Sequence, residues 1–393
     1  MTARPLRIAM IGHGFMGAAH SQGWRTAPRF FDLPAVCDMA LVVGRDGESA
    51  ARAAEGLGWA RSSTDWRAAV ERDDIDVVDI VTPGSSHAEI AIAALDAGKH
   101  VLCEKPLANT VDEARAMADA AHRAAKRGIF AMVGFTYRRV PAAAFARDLV
   151  AAGAVGTVRQ VRASYLQDWL VDESSPMTWR LAKDSAGSGA LGDIGAHAVD
   201  LAEFITGDRI ASVSGTLETF VSRRPLATAS RGLTAEASAT EYGEVTVDDL
   251  ALFSGRFESG AVGSFEATRF STGRKNALRV EVAGTAGALS FDLEDLNSLG
   301  FFDATAPPER QGFTKILVTE PEHPYVSAWW PAGHMLGYEH GFSHQVKDFV
   351  EAIVSGTQPT PSFADGLHVQ EVLAAVEASA LAESVWTPAE RRD

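Results

Sequence analysis

The sequence predicts an α/β fold in two parts: a doubly wound parallel sheet, then an α+β domain built on an antiparallel sheet. Three observations carry that expectation. At 393 residues and 46% hydrophobic, the chain exceeds the roughly 250–300 residues at which single cores stop growing, so two domains are expected. Its first third alternates short β-branched runs with amphipathic helical patterns, the arrangement of a parallel sheet covered on both faces. Beyond about Gly134 the runs come in pairs joined by tight turns, so the strands there should pair antiparallel. We place the division at that change, with residues 1–134 in the first domain and 135–393 in the second.

The first-domain strands are expected in RIAMIG, MALVVG, DVVDIVTP, HVLCEK and GIFAMVGF. The helix NTVDEARAMADAAHRAAKRG opens on a capping box, Thr110 with Glu113, and stops at Gly128 after a basic last turn. Pro106 therefore sits in a strand-to-helix loop. In the second domain TVRQVRASYLQDW reads as one long strand. Two hairpins follow, turning near Ser259-Gly260 and at Gly284 to Gly287. One helix, around Gly192 to Thr206, precedes most of these strands, and another, 365–384, follows them and can pack back on the first domain. The stretch Arg223 to Val245, rich in Ala, Ser, Thr and Gly, reads as a long loop.

The formal net charge of −15 and the lack of a long Lys/Arg cluster argue against a nucleic-acid partner. Cys37 and Cys103 are far apart and lack metal or redox spacing, so we expect no disulfide and a reducing cytoplasmic location. The early apolar run, Ile8 to Ile11, is too short for a signal-peptide core. No stretch approaches the ~20 apolar residues that span a bilayer, so no membrane partner is expected.

IGHGFMGAAH places Gly12, Gly14 and Gly17 in G-x-G-x-x-G spacing after a strand and at a helix start. The first glycine permits a tight turn, the second lets a pyrophosphate approach the backbone, and the third lets helix and strand pack closely. With Phe15 and Met16 between them, these residues are expected to bind a dinucleotide, NAD or NADP. An acid at the end of the second strand grips the adenosine ribose, whereas an arginine there suits a 2′-phosphate. Asp38 lies at about the right distance but precedes the better strand, so the diagnostic positions are Gly44, Arg45 and Asp46. Gly44 and Arg45 lean towards NADP; Asp46 leaves NAD open.

Ligands of a doubly wound sheet lie outside the carboxyl ends of its strands. Thr82 and Pro83 end the strand DVVDIVTP and are expected beside the nicotinamide. Ser86 with Glu89 looks like a helix cap, and His87 reads either as a cofactor contact or as a first-turn residue. Glu104 and Lys105 fall at the same edge one strand further along, and both are expected at the cofactor. The apolar run HVLC brings Lys105 out of the sheet beside the cofactor, where its ammonium can hold a substrate hydroxyl and stabilise an alkoxide. In the second domain Asp193, His197 and Asp200 fall at i, i+4 and i+7, within about 60° on a helical wheel. His197 is the natural proton acceptor, with Asp193 able to fix its tautomer. Two such residues without an identifiable third do not make a zinc site.

Together the glycine loop, Glu104-Lys105-Pro106 and the Asp193/His197 helix resemble the Gfo/Idh/MocA oxidoreductase family, along essentially the whole chain. FTYRRVPA, SYLQDW, WRLAKDSAGSGALGDIGAHAVD and PSFADG resemble its levoglucosan dehydrogenase and inositol dehydrogenase-like branch. The resemblance implies an NAD(P)-dependent dehydrogenase of sugars, anhydrosugars or inositols, with Lys105, Asp193 and His197 catalytic. It further implies that Tyr137, Arg138, Gln167 and Trp169 border the substrate, that Arg180 in the same region reaches the cofactor, and that a large open sheet in the second domain mediates a homodimer or homotetramer. Gly44 departs from the branch, which has an acid there. A redox-neutral glycosidase using transient oxidation, or a dinucleotide-sensing regulator, are the alternatives that the family also contains.

Overall fold

The computed structural model describes residues 5–231 and 234–389, in two compact units. The first takes in Met1–Thr136 and Gly337–Leu367; the second takes in Tyr137–Leu336 and His368–Asp393. The division read from the sequence, 1–134 and 135–393, thus differs from the spatial one by the return of a late segment to the first unit. Its helix His340–Ser355 carries Val346, Phe349 and Val350 into that unit's core, which gives the segment its reason to be there.

In the first unit, β1 (Leu6–Ile11), α1 (Phe15–Phe30), β2 (Cys37–Val43), α2 (Gly47–Leu57), β3 (Ser62–Ser63), α3 (Trp66–Glu71), β4 (Val77–Ile80), α4 (His87–Asp96), β5 (His100–Cys103), α5 (Val111–Ala125) and β6 (Ala131–Val133) alternate along the chain. The strands form one parallel sheet in the order β3-β2-β1-β4-β5-β6, the doubly wound arrangement the sequence predicted. Ile8, Met10, Val42, Val77, Leu102 and Met132 fill its core with Trp24 of α1. The capping box of Thr110 and Glu113 is present on α5. Register aligns Ile11 with Ile80, Ile80 with Cys103 and Cys103 with Val133, so the segments leaving β1, β4, β5 and β6 emerge along one sheet edge.

The second unit contains α6 (Pro141–Ala151), β7 (Val158–Leu166), α7 (Lys183–Ala186), a π-helical turn Leu191–Gly195 that runs into α8 (Ala196–Thr206), and β8 (Ile210–Glu218). After β9 (Arg223–Arg231) and β10 (Thr234–Glu244) come β11 (Leu250–Phe257), β12 (Val262–Thr268), β13 (Ala277–Gly284), β14 (Gly287–Asp292), β15 (Ser298–Asp303), β16 (Thr314–Leu317) and β17 (Thr387–Pro388). Both expected hairpins form, β11 with β12 around Gly260 and β13 with β14 across Gly284–Gly287. The open sheet has nine strands, β16-β15-β14-β13-β7-β12-β11-β8-β17, and it is mixed, because β7 runs parallel to β12. The α8 helix packs on β7, β12 and β13.

One expectation is corrected. The stretch Arg223 to Val245 is not a loop but holds the two-stranded ribbon β9–β10; residues 232–233 between the strands lie outside the described residues. The ribbon stands apart from the nine-stranded sheet, so its residues lack the apolar alternation by which a core-facing strand is recognised. The late helix runs Phe363–Leu381; Gly366 in its first turn packs against Val133 and Leu107 of the first unit, while His368 meets Glu203 of the second at 2.9 Å.

Candidate active site

The first unit places its glycine loop where β1 ends. Gly12 takes φ +101°, and a Cβ there would lie 2.8 Å from the Val81 carbonyl oxygen, so neither the backbone nor the space admits a side chain. Gly14 precedes α1 and has nothing within 4 Å of where a Cβ would stand. Gly17 brings α1 close to the loop, its Cβ position 3.1 Å from the Gly12 oxygen. Phe15 is half exposed and Met16 packs on the core. No acid occupies the first turn of α1, leaving the positive end of its dipole uncompensated. This open backbone cradle fits the pyrophosphate of a dinucleotide.

At the neighbouring strand end, β2 stops at Val43 as its β-branched run predicted. Asp38 lies near the opposite end and pairs with Arg7 at 3.2 Å. Gly44 faces the His13 ring so closely that a Cβ would collide with it. Asp46, the acid that left NAD open, is the N-cap of α2 and accepts from the Ser49 amide at 2.8 Å. Arg45 is exposed.

After β4, Thr82 and Pro83 are held by Ser86, whose hydroxyl lies 2.8 Å from Thr82 Oγ1 and 2.9 Å from the Pro83 oxygen. Ser86 therefore does not cap α4 as expected: a 3₁₀ turn over Gly84–Ser86 directs its hydroxyl backwards, and Glu89 pairs with Arg67 instead. His87 is buried, with Nε2 2.9 Å from the Thr82 oxygen and Nδ1 3.0 Å from the Pro106 oxygen. It clamps the loops after β4 and β5 together, and burial holds its pKa below the usual histidine range.

Glu104 turns away from the strand-end edge into the interior, at 4% exposure. Its Oε1 lies 3.0 Å from His20 Nε2, and its Oε2 accepts from the Lys105 amide at 3.2 Å. The other face of His20 meets Asp79, with Nδ1 2.9 and 3.0 Å from the two carboxylate oxygens, and Trp24 Nε1 donates to Asp79 at 2.7 Å. Burial opposes charge on His20, but Asp79 and Glu104 together outweigh it and push its pKa up to about 10. The sequence reading missed this cluster and gave Glu104 to the cofactor. Its one visible signal was a histidine on the buried stripe Gly17, His20, Ser21, Trp24 of α1. Lys105 follows, half-buried, on the peptide that Glu104 holds.

In the second unit a π turn sets up the aspartate and histidine. Asp248 accepts from the Gly189 and Leu191 amides at 2.7 Å each and anchors the start of that turn. Asp193 within it accepts from Arg269 Nη2 at 2.9 Å; Arg269 is 1% exposed, also donates to the Gly189 oxygen, and lies under the Trp169 ring. Arg180 stacks on Trp179; burial lowers its pKa, while Asp193 pulls upward and Arg269 adds to the lowering. The His197 ring lies 4.5 Å from that of Tyr137 and 5.9 Å from that of Tyr165. A hydrogen-bond chain then runs through the expected substrate residues. Tyr165 donates to Asn276 at 2.7 Å, which leaves Tyr137 to donate to Tyr165 at 2.8 Å. Gln167 donates to Asn276 at 2.9 Å and accepts from Trp169 at 2.9 Å. Tyr137, Gln167, Trp169, Asp193 and His197 thus belong to one cluster, joined by Arg269 and Asn276, which no spacing in the sequence announces. Arg138 differs: its guanidinium forks onto Asp200 at 2.6 to 3.0 Å, in a largely buried pair.

Residues 6–135 match the family model described as an oxidoreductase family with an NAD-binding Rossmann fold, and residues 144–290 match the GFO/IDH/MocA C-terminal domain. Levoglucosan dehydrogenase of Pseudarthrobacter phenanthrenivorans is 42% identical over 383 residues, 96% of this chain and 97% of that protein. The scyllo-inositol 2-dehydrogenase (NAD(+)) of Bacillus subtilis is 31% identical over 284 residues, 72% of this chain and 73% of that one. Among solved structures, an oxidoreductase domain protein from Kribbella flavida matches with a TM-score of 0.95 at 63% identity, covering 100% of both chains. Levoglucosan dehydrogenase in complex with NADH and levoglucosan matches with a TM-score of 0.92 at 40% identity, covering 99% of this chain and 100% of that one. The chain therefore belongs to the GFO/IDH/MocA family of oxidoreductases, with an NAD-binding Rossmann domain as its first unit.

Proposed function

We propose that this chain is an NAD(P)-dependent dehydrogenase that oxidises a secondary alcohol of a sugar, with the anhydrosugar levoglucosan as the first candidate substrate. The likeness to levoglucosan dehydrogenase over nearly the whole chain is the observation that carries this reading. The cluster of two phenols and two carboxamides, Tyr137, Tyr165, Asn276 and Gln167, beside His197 supports it, because a polyol is held by such convergent donors and acceptors next to aromatic faces.

Gly12, Gly14 and Gly17 hold the pyrophosphate, and Thr82 and Pro83 lie on the nicotinamide side. The nicotinamide, when bound, supplies the acceptor for the hydride of the alcohol carbon. His197 takes the hydroxyl proton, so that the carbon loses hydride and the oxygen loses a proton in one oxidation. Asp193, paired with Arg269 at 2.9 Å, favours the charged imidazole that results. Lys105 stabilises the substrate oxygen as negative charge develops. At the ribose end Asp46 is committed as a cap and Gly44 brings no acid, which favours NADP over NAD.

A panel of levoglucosan, inositols and free monosaccharides with NAD and with NADP, read by absorbance of the reduced cofactor, tests this. Levoglucosan should give steady accumulation of reduced cofactor, with a higher kcat/KM for NADP, and Lys105→Met and His197→Ala should each lose roughly 10²–10⁴-fold in kcat while still binding dinucleotide. No turnover with any member of the panel overturns the assignment; a variant with wild-type turnover removes that residue from the mechanism.

A further inference from the structure

We propose that His20 is a positioning residue for Lys105, acting through the Glu104 carboxylate. The contacts form one continuous path inside the first unit. Trp24 and Asp79 fix one face of the imidazole, the other face meets Glu104 Oε1, and the second oxygen of that carboxylate accepts the Lys105 amide proton. Every group before Lys105 is nearly or wholly removed from water: Trp24 and His20 are 1% exposed, Asp79 0% and Glu104 4%. The two printed contacts of that carboxylate are the His20 ring and the Lys105 amide, so the ring on one side sets where the group on the other side is held. Because Glu104 is drawn inward, the backbone it grips presents the next side chain from a fixed peptide plane. The nearest rigid support is α1 itself, so the helix that follows the glycine loop also sets the lysine.

The inference rests on the role given to Lys105 above, and its test separates the two. His20→Asn, Lys105→Met and the double variant are assayed with the best substrate of the panel, and dinucleotide affinity is read by nicotinamide fluorescence. His20→Asn should lower kcat about 30-fold, leave dinucleotide Kd within about threefold, and cost less than about twofold more on the Lys105→Met background. An undiminished further loss on that background, or a kcat unchanged by His20→Asn, overturns the proposal. Where His20→Asn does not yield folded protein, Glu104→Ala removes both contacts of the path and is read by the same cycle with the same outcomes. A second readout needs no turnover. Among the seven lysines of the chain, reductively ¹³C-methylated Lys105, assigned by its loss in Lys105→Met, should shift its NMR signal in His20→Asn or Glu104→Ala while the other lysines stay in place. An unmoved Lys105 signal overturns the positioning role whatever the substrate proves to be.

Discussion

Unfolding this protein at pH 8 should release about one proton from His20. In the folded chain its pKa is pushed up to about 10, against 6.5 for an ordinary histidine, so at pH 8 the native ring is about 99% protonated and the unfolded one about 3%. The folded pKa is the higher one, so the stabilisation is complete below about pH 6.5 and is lost as pH rises towards 10. Linkage sets the slope at up to about 1.4 kcal/mol per pH unit, or roughly 2.5 kcal/mol between pH 7 and 9. Asp79 and Glu104 are the charged groups that hydrogen-bond the ring, and the aromatic ring of Phe342, 5.5 Å away, adds no charge. His87, His100 and His340 have lowered pKa values and stay neutral in both states at this pH, whereas His368 beside Glu203 is raised and adds to the release. Titration of protons liberated by urea in weakly buffered solution measures the number directly. The control is the triple variant His20→Asn/Asp79→Asn/Glu104→Gln, which removes the cation and both carboxylates together, so that no buried carboxylate remains to trap a proton. Wild type should release about one proton more than this control; equal release within a few tenths refutes a charged His20.

Two further outcomes are expected. Gly44→Asp, combined with His13→Ser to clear the ring that lies against Gly44, should shift the ratio of NADP to NAD affinity about tenfold or more towards NAD, as read by fluorescence titration of the reduced forms; an unchanged ratio places the ribose elsewhere. Trp24→Phe keeps an aromatic ring but leaves a small void in the core and deletes the 2.7 Å bond to buried Asp79, and should destabilise the first unit by about 2–4 kcal/mol in urea unfolding.

The parallel sheet was legible because strands buried on both faces are continuous apolar runs, and because the glycine motif occurs where β1 meets α1. The hairpins at Gly260 and at Gly284–Gly287 were legible for the same local reason, since a tight turn leaves its mark in adjacent residues. Lys105 could be placed at the strand-end edge from the chain order alone. Its supports could not: Glu104 finds His20 from 84 residues away, and Asp193 finds Arg269 from 76. Side-chain direction was invisible too. Adjacent residues at a strand end look alike in sequence, yet Glu104 points into the core while Lys105 remains half-buried. The β9–β10 ribbon was missed because a strand pair outside the main sheet has no core-facing pattern to reveal it.

Stability is a poor reason for a buried carboxylate–imidazolium–carboxylate cluster. Desolvating three charges costs several kcal/mol per ion, and packed apolar residues of the same shape do as well or better in many proteins. What apolar residues cannot do is accept the Lys105 amide proton on one side while being held from the other. The cluster satisfies Glu104 on both oxygens and joins α1, β4 and the end of β5 through hydrogen bonds of 2.7 to 3.2 Å, shorter in tolerance than any contact between methyl groups. Hydrogen bonding of that directionality matters where an ammonium must meet a developing alkoxide, because displacement by an ångström at such a point costs about 10²-fold in rate. The charge buried behind the strand end is therefore better explained by the orientation it imposes on the next residue than by any energy it contributes to folding.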